Sequence, residues 1–277
     1  MRFALRTLFP LLFAWLLLAP PAMANLMLHP TRLVFAKNQR AGQVELINNG
    51  TETATYRINV VNRRMNETGE FSPAETLQPG EQSAESMLHF SPRQVTLAPG
   101  ATQTVRVMVR KPAELAAGEY RAHLHFEKLP PAGAAASVEN QNKGDGQIGI
   151  ALNVLIGASI PVIVRHGDTD AAVRMQGLAL RDAGSARPQL ALQLERSGNS
   201  SVYGDLAATF TPRGGAPVEL ARVGGVAVYT PNPLRRVSLV LTPPKGVALA
   251  QGELRVSYSE RPDAGGKLLA EGALTLP

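Results

Sequence analysis

Two histidines, His123 and His125, stand two residues apart in a segment that alternates between apolar and polar side chains. Residues at i and i+2 of a β-strand lie on the same face of the strand, so two imidazoles at this spacing could bind one metal ion. Zinc sites use three or four protein ligands, and no third ligand lies close by in the sequence. We therefore expect a packing or surface role for this pair and no metal.

Sequence motifs for catalysis are absent. The chain has no Gly-x-Ser-x-Gly nucleophile elbow, no glycine-rich phosphate loop and no His-Glu-x-x-His pair. It also has no cysteine, which excludes a thiol nucleophile and an acylated lipoprotein cysteine. We expect neither enzymatic activity nor a cofactor.

The sequence instead favours a binding role, and the segment that indicates it is a long one after Gln147. Apolar side chains occupy every second position, and the residues between them are mostly small; the apolar set is Ile148, Ile150, Leu152, Val154 and Ile156. This pattern predicts a β-strand with one apolar face, extending about 27–30 Å over nine residues, where five or six residues are usual.

The segment follows a loop of small and polar residues, Pro130 to Gly146, which indicates a strand at the edge of a sheet. Proteins normally hide a long apolar edge strand, and one that is kept can pair with another chain. The partner would be a different protein or a second copy of this chain. The alternative is a central strand that is simply buried.

The first 24 residues have the pattern of a secretory signal peptide. Arg2 and Arg6 precede an apolar core, Leu8 to Ala19, and a small-x-small cleavage site at Ala22-Met23-Ala24. Removing 24 of the 277 residues leaves 253, without a later stretch long enough to span a membrane. An exported chain that lacks cysteine suits the bacterial periplasm.

The charge of the chain does not indicate nucleic-acid binding. The formal net charge of +6 loses two when Arg2 and Arg6 are removed, and the remaining Lys and Arg residues are scattered. Aromatic residues make up 5% of the chain, too few for the stacking surfaces that single-stranded nucleic acids need.

Short alternating segments separated by turn signals predict an all-β fold of two immunoglobulin-like sandwiches set at an angle. The first set of strands is Leu26–Phe35, Gly42–Ile47, Tyr56–Asn62, Gln94–Leu97, Thr102–Val109, Tyr120–Lys128 and Ile148–Val164. The second set is Val173–Leu180, Gln189–Glu195, Gly204–Thr211, Val218–Val223, Val226–Tyr229, Val237–Leu241, Glu253–Ser259 and Leu268–Leu276. A single helical turn is expected at Glu114–Ala117.

The seam between the two sandwiches is expected at the polar turn Arg165-His166-Gly167-Asp168. This divides the mature chain into an N-terminal domain, 25–165, and a C-terminal domain, 166–277. Tyr203 and Tyr229 are expected to be turn and core residues of the second sandwich.

The first domain resembles the periplasmic chaperones of the chaperone–usher pilus pathway. Local matches in the right order carry this resemblance: Thr31-Arg32-Leu33-Val34-Phe35, Leu46-Ile47-Asn48-Asn49, Ser91-Pro92-Arg93 with Leu97-Ala98-Pro99-Gly100 and Thr104-Val105-Arg106-Val107, and Tyr120-Arg121 to Phe126 followed by Leu129-Pro130-Pro131 and Ile148 to Leu152. The second domain resembles the family only in size and β character.

The resemblance implies that the chain binds pilus or fimbrial subunits and delivers them to an outer-membrane usher. The subunit lacks its last strand, and the chaperone lends its own edge strand, so the alternating side chains from Ile148 to Ile156 would insert into the subunit. Pro161 has no N–H for a strand ladder, and we expect the donated segment to end before it. Folding and strand exchange drive the process, so neither ATP nor metal is needed.

In the family, two basic residues between the domains hold the C-terminal carboxylate of the subunit. Arg32 matches the first, and a guanidinium suits a carboxylate because it can donate two parallel hydrogen bonds. The second is a lysine late in the long strand, where this chain has Gly157, or Ser159 or Pro161 after a shift. Arg165 is the candidate substitute. The missing lysine keeps open a second interpretation, a periplasmic or surface structural protein with no chaperone function.

Overall fold

The computed structural model describes residues 26–130, 157–185 and 187–277. The predicted signal peptide at 1–24 and the alternating side chains from Ile148 to Ile156 lie outside these residues. In the part that is described, the chain forms β-strands and two single turns of 3₁₀-helix, at Glu85–Met87 and Pro262–Ala264. The helical turn expected at Glu114–Ala117 is absent there. None of the described helices is long and apolar enough to cross a membrane.

The first sandwich has two facing sheets, with strand orders β1-β3-β9-β7 and β2-β11-β10-β4-β8, and a separate β5–β6 hairpin. Its strands are β1 (Leu26–His29), β2 (Leu33–Phe35), β3 (Ala41–Asn48), β4 (Ala54–Val61), β5 (Arg63–Met65), β6 (Phe71–Pro73), β7 (Leu88–Ser91), β8 (Gln94–Leu97), β9 (Thr102–Val109), β10 (Gly118–Lys128) and β11 (Gly157–His166). Alternate residues of the strands, such as Leu124 and Phe126 of β10, are fully buried between the sheets, as the period of two requires.

The first predicted strand is divided between the two sheets. Leu26–Phe35 was expected to be continuous, but β1 pairs with β3 in one sheet and β2 pairs with β11 in the other. Pro30 lies between them and has no N–H to contribute to a ladder. The crossing places Arg32 directly before β2, at the edge of the sheet that contains β10 and β11.

Strand β11 is paired unequally on its two sides. It pairs antiparallel with β10 along its whole length, from His166 opposite Gly118 to Gly157 opposite Glu127. On its other side it pairs with β2 only at Val162–Val164. The strand continues through Pro161, which lies opposite His123, and the end of the donated segment before this proline stays a prediction.

The second sandwich has sheets of order β12-β13-β16 and β15-β14-β17-β18. Its strands are β12 (Ala171–Arg181), β13 (Gln189–Gly198), β14 (Val202–Pro212), β15 (Val218–Val228), β16 (Leu234–Val240), β17 (Gly252–Ser259) and β18 (Leu268–Leu276). Two separate strands were expected where β15 runs unbroken. Gly225, at a positive φ of 74°, accommodates an irregularity there, and its N–H donates to the Asp205 carboxylate at 2.9 Å.

Each sandwich has its own apolar core, and this confirms the prediction of an all-β fold with two sandwiches. A third, small cluster lies between them, in which Met65 and Ile163 of the first sandwich pack with Ala227 and Tyr229 of the second. The domain boundary at residue 165 stays a prediction. The functional groups of interest surround this third cluster.

Candidate functional site

Arg32 reaches from the first sandwich onto two tyrosines of the second. Its guanidinium carbon lies 4.4 Å from the centre of the Tyr203 ring and 5.7 Å from that of Tyr229. Its Nε and Nη1 atoms are shielded from solvent and have no hydrogen-bond partner. Tyr203 lies in β14 and Tyr229 follows β15, so docking of the two sandwiches creates this contact.

Arg121 of β10 approaches the same tyrosine. Its guanidinium carbon lies 4.4 Å from the centre of the Tyr229 ring, and its Nη2 donates to the backbone carbonyl of Arg63 at 3.3 Å. The Nη1 atom is buried and lacks an acceptor. Burial lowers the pKa of Arg121, with a smaller opposing effect from Tyr229. We call Arg32 and Arg121 the guanidinium pair.

The position of Arg121 follows from the alternation of β10. Its neighbours Ala122, Leu124 and Phe126 point into the core, so Arg121 and His123 point to the opposite face of the sheet, toward the second sandwich. Arg121 on β10 and Arg32, directly before β2, therefore lie on either side of β11.

His123 and His125 do not form a metal site in the described part of the chain, which contains no cluster of three or more potential ligands. His123 is 2% exposed, and its pKa is lowered to about 3 by burial and by the positive charges of Arg121 and Arg63. His125 is partly buried, with its Nδ1 3.5 Å from Arg63 Nη2. His123 packs beside Arg121 and Arg63, and His125 lies next to Arg63.

The β5–β6 hairpin brings an aromatic side chain to the guanidinium pair. The ring of Phe71 lies 5.2 Å from the ring of His123, edge to face, and 6.0 Å from the ring of Tyr229. Phe71 remains 42% exposed. An open aromatic surface thus adjoins the two arginines.

Arg165 is engaged elsewhere in the seam. Its Nε donates to Glu119 at 3.0 Å and its Nη2 donates to the Ser201 carbonyl at 3.1 Å. Glu119 is 2% exposed and also accepts from the Ser201 N–H at 3.0 Å and from the Ser201 hydroxyl. Arg165 therefore fastens the two sandwiches, and its contact with a subunit carboxylate stays a prediction.

Neither Gly157 nor Ser159 of β11 supplies the basic group that the family has as a lysine. A side chain at Gly157 would overlap the His125 imidazole, and the Ser159 hydroxyl is buried without a partner. The second base that the structure does offer is Arg121, which the sequence analysis did not single out as a site. Its only signal was the shared strand face with His123 and His125.

The guanidinium pair has the chemistry of an anion site. Arg32 and Arg121 present unpaired N–H groups, and neither forms an ion pair in the described part of the chain. Two guanidinium groups on an aromatic platform can bind a carboxylate with charge-assisted hydrogen bonds. Tyr203 and Tyr229 of the second sandwich supply that platform.

Comparison with known proteins identifies relatives of the first sandwich. Residues 25–165 match the model of the pili and flagellar-assembly chaperones, PapD N-terminal domain. No curated protein sequence matches the chain significantly.

Several solved structures resemble the chain at low sequence identity. The CsuC–CsuE chaperone–tip subunit pre-assembly complex of Acinetobacter baumannii is 12% identical with a TM-score of 0.46, over 88% of this chain and 97% of that chain. The SafB chaperone with the SafA pilin of Salmonella enterica is 15% identical with a TM-score of 0.41, over 92% and 97%. The Escherichia coli chaperone DraB is 15% identical with a TM-score of 0.41, over 91% and 98%.

The family match covers the strands that carry Arg32 and Arg121 and more than half of the chain. It agrees with the expectation that the chain is not an enzyme. The chain belongs to the family of pili and flagellar-assembly chaperones.

Proposed function

We propose that the protein is a periplasmic chaperone that holds exported pilus or fimbrial subunits and delivers them to an outer-membrane usher. The observation that carries the proposal is the guanidinium pair, whose unpaired N–H groups lie between the two sandwiches. Such a pair suits the C-terminal carboxylate of a bound subunit. The signal peptide pattern supports export to the periplasm.

Arg121 takes the place of the missing lysine in this proposal. Arg32 and Arg121 flank the same Tyr229 ring, and so a carboxylate near the ring can accept from both. Arg165 is a weaker candidate because its Nε and Nη2 already bind Glu119 and Ser201. It would contribute long-range attraction more than direct contact.

The pairing of β11 supports strand donation. None of the described strands pairs with the second edge of β11 between Gly157 and Pro161, which leaves backbone groups there for a subunit strand. The segment just before it carries the alternating set Ile148, Ile150, Leu152, Val154 and Ile156. We propose that this segment and the open edge of β11 form one continuous surface for pairing.

The magnitudes are consistent with a carrier that holds and then releases its subunit. Burying five such side chains contributes about 7–15 kcal/mol, at roughly 1.5–3 kcal/mol each. Association costs about 4–15 kcal/mol in lost translational and rotational freedom. Backbone hydrogen bonds of the donated strand add about 0.5–1.5 kcal/mol each. Because the gain and the cost are of similar size, a bound subunit can exchange the donated strand for another.

The first test removes the positive charges of the guanidinium pair. Arg32→Ala and Arg121→Ala should each lower subunit capture on co-expression with candidate exported β-rich subunits. Losing a charge-assisted contact at an interface typically costs about 2–5 kcal/mol. Thermal unfolding of Arg32→Ala should show only a small loss, because Nε and Nη1 have no hydrogen bonds to lose and the stacking on Tyr203 and Tyr229 contributes about 0.5–2 kcal/mol.

Arg93→Ala is the matched control for this test. Arg93 is an exposed arginine that also stacks on an aromatic ring, Phe90 at 5.4 Å, but it lies away from the guanidinium pair. It should capture subunit as the wild type does. Undiminished capture by Arg32→Ala and Arg121→Ala would refute binding of the subunit carboxylate by the guanidinium pair.

The second test separates the chaperone from the structural alternative. Ile150→Asp together with Leu152→Asp should leave the free protein folded and abolish subunit capture, because unpaired charges in apolar pockets cost several kcal/mol. If the double variant unfolds, the strand belongs to the core. A wild-type protein that co-purifies only with itself would favour the structural alternative.

A further inference from the structure

Beside the guanidinium pair, the cleft between the sandwiches contains ring surfaces that the carboxylate contact does not use. Phe71 is 42% exposed although it touches two other rings, those of His123 and Tyr229. The hairpin that carries it is tied to the second sandwich, where Asn232 Nδ2 donates to the Met65 carbonyl at 2.6 Å. Phe71 is therefore held at the rim of the site.

We infer that this site selects the last side chain of the bound polypeptide, and that it favours a large apolar or aromatic residue at the C terminus. This rests on the proposed function, because it assumes that the carboxylate is bound by Arg32 and Arg121. A residue whose carboxylate lies at the guanidinium pair has its own side chain near the exposed ring of Phe71, which lies 6.0 Å from the Tyr229 ring that both arginines contact. Aromatic pairs prefer ring centres about 4.5–7 Å apart, which Phe71 leaves room for on its exposed side.

The charges around the site determine what it rejects. Arg32, Arg121 and Arg63 all lie close by, and the two carboxylates that act on Arg121, Glu81 and Glu119, are already paired with Arg64 and Arg165. A terminal Lys or Arg would therefore be repelled. His123 cannot add a charge near neutral pH, because burial and the nearby arginines lower its pKa to about 3.

The inference can be tested with N-acetylated pentapeptides of the form Gly-Ser-Gly-Ser-X, added to the full mature chain at low salt and followed by NMR titration. Peptides ending in Phe should bind about tenfold more tightly than those ending in Gly, since burying a ring against apolar surface contributes about 1.5 kcal/mol or more. Leu should be intermediate, and Lys should bind more weakly than Gly. Phe and Gly peptides of equal affinity, or an Asp peptide that binds best, would overturn the inference.

Variants of Phe71 test whether the β5–β6 hairpin causes the preference for a C-terminal Phe over Gly. Phe71→Ala should remove the tenfold preference for Phe over Gly, and Phe71→Leu should retain most of it. Met108→Ala changes an exposed apolar residue of β9 and should alter nothing. If Phe71→Ala keeps the full preference, another surface is responsible and the inference fails.

Peptide amides separate this inference from the proposed function. Amidating the C terminus should abolish binding of every peptide if the guanidinium pair holds the carboxylate. Equal binding of the peptides with a free and with an amidated C terminus would refute the proposed contact between the carboxylate and the guanidinium pair. Binding that requires a free C-terminal carboxylate but shows no preference among side chains would support the carboxylate contact and refute only the selection by Phe71.

Discussion

His123 is a buried imidazole that is kept neutral by its surroundings. It lies on β10 between Arg121 and His125, with the ring of Phe71 against it. Burial and the charges of Arg121 and Arg63 lower its pKa from 6.5 to about 3. Neither ring nitrogen has a hydrogen-bond partner, so protonation in the folded state would place an uncompensated charge among arginines.

This environment predicts a loss of stability in mild acid. The unfolded chain takes up a proton on His123 below about pH 6.5, whereas the folded protein does not until about pH 3. Stability is therefore unaffected above pH 6.5 and falls as the pH is lowered through this window, by about 2 kcal/mol at pH 5. His125, whose pKa burial also lowers, acts in the same direction.

Urea unfolding at pH 7 and pH 5 measures the effect. His123→Phe should lose less stability between these pH values than the wild type, because the titrating group is gone. His89→Gln, on an exposed strand position, should retain the wild-type dependence. Equal losses for His123→Phe and the wild type would show that His123 does not cause the acid sensitivity.

At the scale of elements, the β5–β6 hairpin connects the two sandwiches. The Arg236 N–H donates to the Glu67 carbonyl at 2.7 Å, and the Arg236 side chain pairs with the Glu67 carboxylate at 2.8 Å. Gly69 in the turn has a positive φ of 86° and lies directly against the Arg235 guanidinium. The turn can approach the second sandwich this closely because it lacks a side chain at that position.

Gly69→Ala should therefore destabilise the protein in two ways. The left-handed backbone alone costs a residue with a Cβ about 1–2 kcal/mol, and the new methyl group also displaces Arg235 from the hairpin. Gly100→Ala is the control, since Gly100 has a φ of 73° and open space around its Cβ position. Urea unfolding should show the larger loss for Gly69→Ala.

A double variant tests the cause of that difference. In Arg235→Ala the guanidinium is absent, and adding Gly69→Ala should then cost no more than Gly100→Ala does. A persistent excess in the double variant would place the clash elsewhere in the hairpin.

For the whole molecule, the buried carboxylate of Glu119 is the main polar tie between the sandwiches. It belongs to β10 of the first sandwich and accepts hydrogen bonds from Arg165 and from the backbone and hydroxyl of Ser201, in the loop between β13 and β14 of the second. Arg196 supports the same loop by donating to the carbonyls of Gly198 and Ser200. These contacts set the orientation in which Arg32 meets Tyr203 and Tyr229.

Glu119→Gln should weaken the coupling between the sandwiches. Glu119 is buried but Arg165 is 27% exposed, so the loss is that of charge-assisted hydrogen bonds, at about 1.5–3 kcal/mol each. Small-angle scattering should show a broader distribution of interdomain arrangements. Glu67→Gln, which breaks the exposed pair with Arg236 across the same interface, should cost less than about 1 kcal/mol. Similar losses for the two variants would contradict the central role of Glu119.

The sequence by itself determined the fold class and the family. Alternation of apolar residues specifies β-strands because successive side chains point to opposite faces, and the segments of β3, β4 and β8–β10 followed from that alone. The resemblance also singled out Arg32. The β5–β6 hairpin escaped prediction because its strands have three residues each, too few for a period to be visible.

Only the tertiary structure decided which polar groups meet. Arg32, Arg121 and Tyr229 are far apart in the sequence and come together because two sandwiches dock at one seam. The same docking gives Arg165 the buried partner Glu119, which no local pattern indicated. A strand pattern specifies the face on which a side chain lies, whereas its partner depends on what packs against that face.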